Sequence, residues 1–505
     1  MRNAIALVPM MVAVGLAGAL APAAADELTA RVPKVASELT ALMEDSQADP
    51  ASFFASVTQL GFAERANYDV DLVPQIPAPA ATAPTARLLP FAVVLDAALG
   101  NASAQTRDSI VKAQGQQDLA VIYFEQGPVF LSDIMAALVQ LALPVDDIAP
   151  AGKVTVTRPL VLSSRATLVL LPGEQLTLDR AQGAFLIAAG GMVIDGAAIA
   201  GSETANSTAM NFRPFVLADA TTGPVQLSGA HLRGLGFGGD ARSAGLSITG
   251  SNADSGRRTF VQDSMLSDMG TLYLIDAAQG TIRRNIFQRP YNTALAIVAS
   301  RSIIVDGNVV MGSNPGHGIK LGPNATQILV SDNIVADNNK HGLLLEGNTA
   351  GSVIFNNLLF ENTGSGIAVL NGSCLSLEQN QTLANASDGI MVRDSAELNL
   401  VTNTIAANKR AGVSIVGDNG SVRLKDNRFD SNKVGLRAST SFELALSNND
   451  WTGQAPRLLD GDVSQHTLAL LAGIKSGDTE LSMAGLPLRP GLSASPQTCK
   501  PGEAI

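Results

Sequence analysis

From about residue 150 to residue 450 the chain alternates apolar and polar residues in short runs, and each run ends at Asp, Asn, Gly or Ser. Ser302-Ile303-Ile304-Val305 and Leu398-Asn399-Leu400-Val401 are too short for helices and are bounded by turn pairs such as Asp-Gly and Asp-Asn. In Gly389-Ile390-Met391-Val392-Arg393, period-two alternation puts Ile390 and Val392 on one face and Met391 and Arg393 on the other. The pattern also repeats at long range. Gly318, Gly342, Gly366, Gly389, Gly412 and Gly435 are spaced 24, 24, 23, 23 and 23 residues apart, each followed by Ile, Leu or Val. Asn285, Asn308, Asn333, Asn357, Asn380, Asn403 and Asn427 keep nearly the same beat. A sustained period of this length, filled by two or three short strands with turns, predicts stacked coils. The fold class expected is all-β, a right-handed parallel β-helix solenoid. The glycines are expected at corners that need a positive φ. The asparagines are expected to stack in an internal ladder, which makes them structural.

The flanks divide the chain. Residues 1–25 read as a signal peptide: Arg2, an apolar run from Ala4 to Leu20, then Ala23-Ala24-Ala25 before Asp26. Residues 26–86 form an N-terminal segment, helical over Lys34–Glu44, and a semi-extended, mobile Pro/Ala linker from Pro74 to Pro84. Residues 87–150 read as a small α/β cap with a helix over Asp108–Gln114, a strand over Ala120–Phe124, and Ser132 as N-cap of a helix Asp133–Leu143. A cap closes the open end of a solenoid. Residues 151–451 are the β-helix, about a dozen coils, and residues 452–505 a C-terminal cover and tail.

Composition narrows the function. Only 4% of residues are aromatic and 47 are glycine, which suits a solenoid with an aliphatic core. The net charge of −11 and the absence of a long basic run argue against nucleic acid. No apolar stretch after residue 25 is long enough to span a bilayer. Cys374 and Cys499 are the sole cysteines; no disulfide framework is evident, and Cys374 reads as a small buried filler. No cysteine–histidine metal spacing and no Gly-Gly-x-Gly-x-Asp repeat occurs, so neither cofactor nor metal is expected. An exported β-helix presents a long groove with side chains repeating about every 4.8 Å, a geometry suited to an extended polysaccharide.

Several segments in order carry a resemblance: Phe124-Glu125-Gln126-Gly127, Arg158-Pro159-Leu160-Val161, Gly183-Ala184-Phe185-Leu186, Phe212-Arg213-Pro214-Phe215, Asp263 to Met269, His317-Gly318-Ile319 and Ser387-Asp388-Gly389-Ile390. Over residues 120–440 the chain resembles the periplasmic mannuronan C5-epimerases of alginate biosynthesis. The resemblance implies a periplasmic location, an isomerase acting on a polyuronate, an anionic polysaccharide as partner, and neighbours among the proteins of polymer export. The chain departs from the family at its hallmark. Counting back 24 residues from Gly318 gives Ala294, so Ala296-Ile297-Val298-Ala299 stands where the family carries Asp-Pro-His-Asp, and the expected histidine base is Val298.

Epimerisation at C5 removes a proton α to a carboxylate, which needs charge neutralisation at that carboxylate and a base and an acid on opposite faces. Projecting outward positions coil by coil brings Tyr273, Lys320 and Glu346 within two coils of Val298, with His317 and His341 beside them. The catalytic expectation is Lys320 on the uronate carboxylate, His317 as base and Tyr273 or water as acid. The bland alternatives are corner histidines bonded to the turns and a solvated Lys320–Glu346 cross-strand pair. Substrate binding is expected from Arg213, Arg258, His341, Glu346 and Arg393. Between residues 257 and 301 six arginines face three aspartates, a local excess suited to a polyanion. Three functions stay open: an epimerase with a relocated site, a non-catalytic scaffold that binds nascent polymer, and a lyase.

Overall fold

A computed structural model of the chain describes residues 25–44, 53–54, 56–57, 72–99, 102–115, 120–145, 151–205, 207–238, 240–250, 259–439, 441–476 and 481–484. The proposed signal peptide up to residue 24, Arg257, Arg258 and Cys499 lie outside the described residues. The rest is a right-handed parallel β-helix built of three sheets with 15, 13 and 14 strands. Each coil contributes one strand to each sheet, as Leu295–Val298, Ile304–Asp306 and Val309–Met311 show. Inside, the first apolar residue of each coil stacks on its equivalent: Leu272, Leu295, Ile319, Leu343, Ile367, Ile390, Val413 and Leu436 are consecutive partners in the 15-stranded sheet. All eight are buried.

Two ladders of amides run through this interior. In the first, Nδ2 of each asparagine from Asn285 to Asn427 donates to Oδ1 of the next, ending on Asn449, at 2.9 to 3.1 Å. Its backbone N–H groups donate to the same acceptors, as from Asn357 to Asn380 at 3.0 Å. The second ladder links Asn338, Asn362, Asn385, Asn408, Asn432 and Gln454 by equivalent bonds. Residues in the left-handed region, including Asp332, Asn356, Gln379, Thr402 and Asp426, immediately precede ladder asparagines and turn the chain.

The periodic glycines have a different cause from the one expected. None of the six has a positive φ. Each is confined by space: a Cβ on Gly389 would lie 2.7 Å from the carbonyl oxygen of Gly412 and 2.8 Å from Nδ2 of Asn408, and Gly342 and Gly366 repeat this against Asn362 and Asn385. The glycine column exists to let the second asparagine ladder approach the backbone.

The ends determine where the solenoid surface is open. Helices Phe91–Leu99 and Ala104–Ala113 carry Phe91, Leu95, Leu99 and Ile110 into a cluster with Val121, Val161, Ile187 and Leu217 on the outward face of the first strands of the 15-stranded sheet, joined by Phe185, Phe212 and Phe215. At the next coil the short 3-10 helix Ala241–Ser243 takes over the cover, with buried Ser247 donating its hydroxyl to the Ala241 carbonyl. Strands Ala120–Phe124 and Gly127–Phe130 already belong to the 15- and 14-stranded sheets. The helix after them is Leu131–Gln140, and Ser132 is not its cap: Phe130 is, its N–H donating to Asp133 Oδ2 at 2.9 Å.

On the 13-stranded sheet, Val32, Val35, Leu39 and Met43 of helix Ala25–Glu44 cover an outward apolar strip that includes Ile286, Val309, Ile334, Leu358 and Phe360. The Pro/Ala segment is extended but held, since the Gln75 N–H donates to Gln226 Oε1 at 2.7 Å and Gln262 Nε2 to the Leu72 carbonyl at 2.8 Å. At the far end Trp451 stacks on Phe429 at 4.1 Å, and strand Leu481–Ala484 pairs antiparallel with Ser441–Ser447. Cys374 is half-buried and disulfide-bonded rather than an inert filler. Among the described residues no helix is long and apolar enough to cross a membrane.

Candidate functional site

Strand register in the 15-stranded sheet places the outward side chains in columns. Ser247, Tyr273, Ala296, Lys320, Leu344, Ala368 and Met391 are successive partners, one per coil. A second column carries Ile275 beside Val298 and Glu346, Leu370 and Arg393 in succession. Under the cap the first column is apolar (Val161, Ile187, Leu217), and beyond it polar side chains enter. Alternation along each strand produces this arrangement: the inward residues fill the core, and their neighbours are forced out.

Between Tyr273 and Lys320 the column holds only Ala296. Register sets Tyr273 and Lys320 two strand spacings, about 10 Å, apart on either side of one small, buried floor residue, Ala296. Val298 continues that floor against Gly322, where a Cβ would come within 2.5 Å of Val298 Cγ1. The result is a notch with a phenol on one wall and an ammonium on the other. Burial raises the pKa of the Tyr273 hydroxyl, partly offset by the Lys320 charge, so it stays protonated and donates. Lys320 Nζ lies 2.7 Å from Glu346 Oε2, the cross-strand pair that register allows.

The histidines occupy the corner that leads into this sheet. Their rings stack with centroids 5.3 Å apart and planes 14° from parallel. The corner is a third ladder, made of unlike residues. The His317 N–H donates to Thr293 Oγ1 at 3.2 Å, the His341 N–H to His317 Nδ1 at 3.3 Å, and the Ser365 N–H to His341 Nδ1 at 2.9 Å. The Ala411 N–H closes the row on Asp388 Oδ1 at 2.9 Å. A ring nitrogen that accepts a hydrogen bond carries no proton, so each neutral imidazole holds its proton on Nε2.

Burial, then the His341, Lys340 and Lys320 charges, push the pKa of His317 down to about 3. His341 is lowered as well, by burial first, with Asp388 opposing and Lys340 and Arg393 assisting. At neutral pH both rings are therefore N–H donors. The base expected at His317 is not available in this arrangement, because its basic nitrogen faces the backbone of the next coil.

The remaining predicted residues are dispersed. Arg393 is exposed two coils beyond Glu346 and acts on His341 through its charge. Arg213 is not on the groove sheet. Phe212 and Phe215 are anchored in the cap cluster, and Arg213 between them lies over the ring of Tyr291, 4.0 Å from its centroid. The sequence reading missed a basic edge along the histidine corner. Lys340 and Arg410 belong to one backbone-bonded row that also contains Gly316, Gly364 and Ser387, and Lys409 and Lys433 follow Asn385 and Asn408 in the adjacent row. All four are exposed, and among the described residues none forms a salt bridge. The signal was present in the repeats: each lies two or three residues before a periodic glycine.

Among the described residues no group of three or more His, Cys, Asp or Glu side chains is placed to hold a metal ion. The family model described as "Periplasmic copper-binding protein (NosD)" matches residues 241–457, less than half of the chain. No curated protein sequence matches. Among solved structures, the chain is similar to the periplasmic alginate epimerase AlgG, with a TM-score of 0.62 at 19% identity, over 75% of this chain and 94% of that one. A point mutant of AlgG gives the same TM-score at 20% identity, over 72% and 93% of the two chains. The A-module of the Azotobacter vinelandii mannuronan C-5 epimerase AlgE4 aligns at 17% identity over 60% of this chain and 86% of that one, with a TM-score of only 0.35. At these identities the likeness establishes a shared β-helical fold, and the side chains must supply the function.

Proposed function

We propose that this chain is an exported protein that holds an alginate-like polyuronate along the open face of the 15-stranded sheet, seating one uronate in the notch over Ala296. The observation that carries the reading is the notch itself: a floor of Ala296, Val298 and Gly322, the Tyr273 hydroxyl on one side and the Lys320 ammonium on the other. An acidic sugar offers a carboxylate to Lys320 and ring or hydroxyl oxygens to Tyr273. The Nε2–H groups of His317 and His341, repeating with the strand spacing, supply further neutral donors. Lys340, Lys409, Arg410 and Lys433 give the corner a positive edge in a protein whose net charge is −11, and such an edge attracts and orients a polyanion. Export is supported by the signal-like N-terminus and by the disulfide-bonded Cys374, since disulfides persist in oxidising compartments.

A second reading, turnover, has one observation on its side. Glu346 is a proton acceptor beside the notch, held 2.7 Å from Lys320. A uronate carboxylate that displaces it from Lys320 would leave it free to take the C5 proton, with Tyr273 protonating the opposite face. Copper, named in the NosD description, finds no counterpart in the histidine pair: Nδ1 of each ring accepts a backbone N–H, and Nε2 carries the proton.

The test is to mix the purified exported protein with polymannuronate in D2O, measure binding, and follow the C5 proton by NMR. Binding that Lys320→Ala weakens roughly tenfold, with no deuterium entering C5, supports the holding function. Deuterium at C5 that disappears in Glu346→Gln establishes epimerisation. An ultraviolet-absorbing unsaturated end identifies a lyase, and a polymer that does not bind at all overturns the reading.

A further inference from the structure

Away from the groove, the outward face of the 13-stranded sheet carries a cavity of about 560 Å³, within the size range of small-molecule sites. Its floor is made by Gln175, Thr177 and Ala200 on the first strands of that sheet, and its walls by Arg180, Arg213 and Arg233 with Glu203 and Asp268. The charges in it are unevenly satisfied. Both carboxylates are taken by Arg233, at 3.2 Å from Glu203 and 3.8 Å from Asp268, and Asp268 is shared with Arg289. Arg180 and Arg213 form no ion pair among the described residues.

Each of these two guanidinium groups is instead fixed by neutral partners. Arg180 donates through Nε to the Phe212 carbonyl at 2.8 Å and through Nη2 to the Met210 carbonyl at 2.7 Å. Arg213 sits over the Tyr291 ring, its guanidinium carbon 4.0 Å from the centroid, and hydrogen-bonds to the Tyr291 hydroxyl. The Tyr291 hydroxyl donates in turn to the carbonyls of Leu235 and Gly236. The two arginines are near enough for the Arg213 charge to lower the pKa of Arg180, on top of burial. Two like charges in one cavity of an acidic protein, neither of them in an ion pair among the described residues, form a site that an anion completes.

We infer that this cavity is a second binding site, separate from the groove, which takes a single acidic sugar with its carboxylate on Arg213 and Arg180 and its hydroxyls on Gln175 and Thr177. Thr177 and Gln175 are already linked, Nε2 to Oγ1 at 3.2 Å, and together present an acceptor and donors on the floor. Lys320 and its notch take no part, so the two sites separate by mutation.

The experiment is calorimetric titration of the purified exported protein with mannuronate monosaccharide, using inorganic phosphate as a second probe. The sugar should bind wild type and should still bind in a Lys320→Ala background that disables the notch, and adding Arg213→Gln to that background should weaken binding at least tenfold. Ala200→Leu fills the floor without altering a charge, so it should also abolish binding, which covers the case in which Arg213→Gln disturbs the loop. The proposal is overturned if wild type does not bind the monosaccharide, or if both cavity variants bind it like wild type. Phosphate binding as tightly as the sugar would also overturn it, because the site would then recognise an oxyanion rather than an acidic sugar. Groove binding of polymer is measured separately, so failure here leaves the reading of the notch standing.

Discussion

The asparagine ladders and the histidine corner are built by one rule and end with different spare capacity. In both, a side chain accepts the backbone N–H of its equivalent one coil away: Asn380 from Asn357 in the coil before, and His317 from His341 in the coil after. Inside the solenoid the asparagine amide is consumed. Asn380 Nδ2 donates to the Ile354 carbonyl at 2.8 Å and to Asn403 Oδ1 at 3.1 Å, and its Oδ1 accepts from both the backbone and Nδ2 of Asn357. At the half-buried corner, imidazole does the accepting with Nδ1 and keeps an Nε2–H in reserve. A repeating structural device thus leaves a spare polar group where its residue has one more polar atom than the fold uses. The same comparison identifies the group that His317 has to spare: the fold takes its Nδ1 and leaves the Nε2–H.

The largest effect should come from breaking the inner ladder. Asn380→Ala leaves the buried Asn357 N–H without its acceptor and takes one donor each from the Ile354 carbonyl and Asn403 Oδ1, at a cost of about 3 kcal/mol. Chemical denaturation should show a matching fall in midpoint. Gly389→Ala is next, because its Cβ has no room between the Gly412 carbonyl and Asn408 Nδ2. A loss of about 2 kcal/mol is expected, and a glycine needed only for its φ would not respond in proportion to that crowding.

The corner should be milder and pH-dependent. His317→Ala removes one acceptor and a stacked ring, about 1 to 2 kcal/mol, and should also weaken polymer binding. His317 titrates near 6.5 when unfolded and at about 3 when folded, so the unfolded chain binds the extra proton between those values. Its contribution is fully present above pH 6.5 and is lost as pH falls toward 3. The melting temperature of wild type should drop faster over that range than that of His317→Gln. The smallest effect on stability belongs to Lys320→Ala, below about 1 kcal/mol because the Lys320–Glu346 pair is partly exposed. Its consequence is for affinity, which separates binding from folding at this position.

Much of this was legible in the chain. The 23–24-residue beat gave the coils, and period-two alternation gave the columns in which Tyr273, Ala296 and Lys320 align. The first asparagine ladder followed from its spacing. The second, five residues behind it at Asn338, Asn362, Asn385, Asn408 and Asn432, was equally periodic, and it supplies the reason for the glycines, which backbone propensity alone assigned to the wrong cause. Other features depend on contacts between distant segments that no local pattern records. They include the helix Ala25–Glu44 lying on the 13-stranded sheet, the cap covering Val161, Ile187 and Leu217, and Arg213 turned away from the groove toward Arg180. The protonation of His317 was also beyond the sequence, because which nitrogen is free depends on an amide one coil away.

The most direct measurement is the tautomeric state of His317 and His341, read from two-bond 15N–1H correlations in histidine-labelled protein between pH 5 and pH 8. His317 should be neutral throughout, and both rings at neutral pH should carry the proton on Nε2 with Nδ1 bare. A proton on Nδ1 of His317, or titration near pH 6.5, would contradict the donor assignment and return His317 to the role of base.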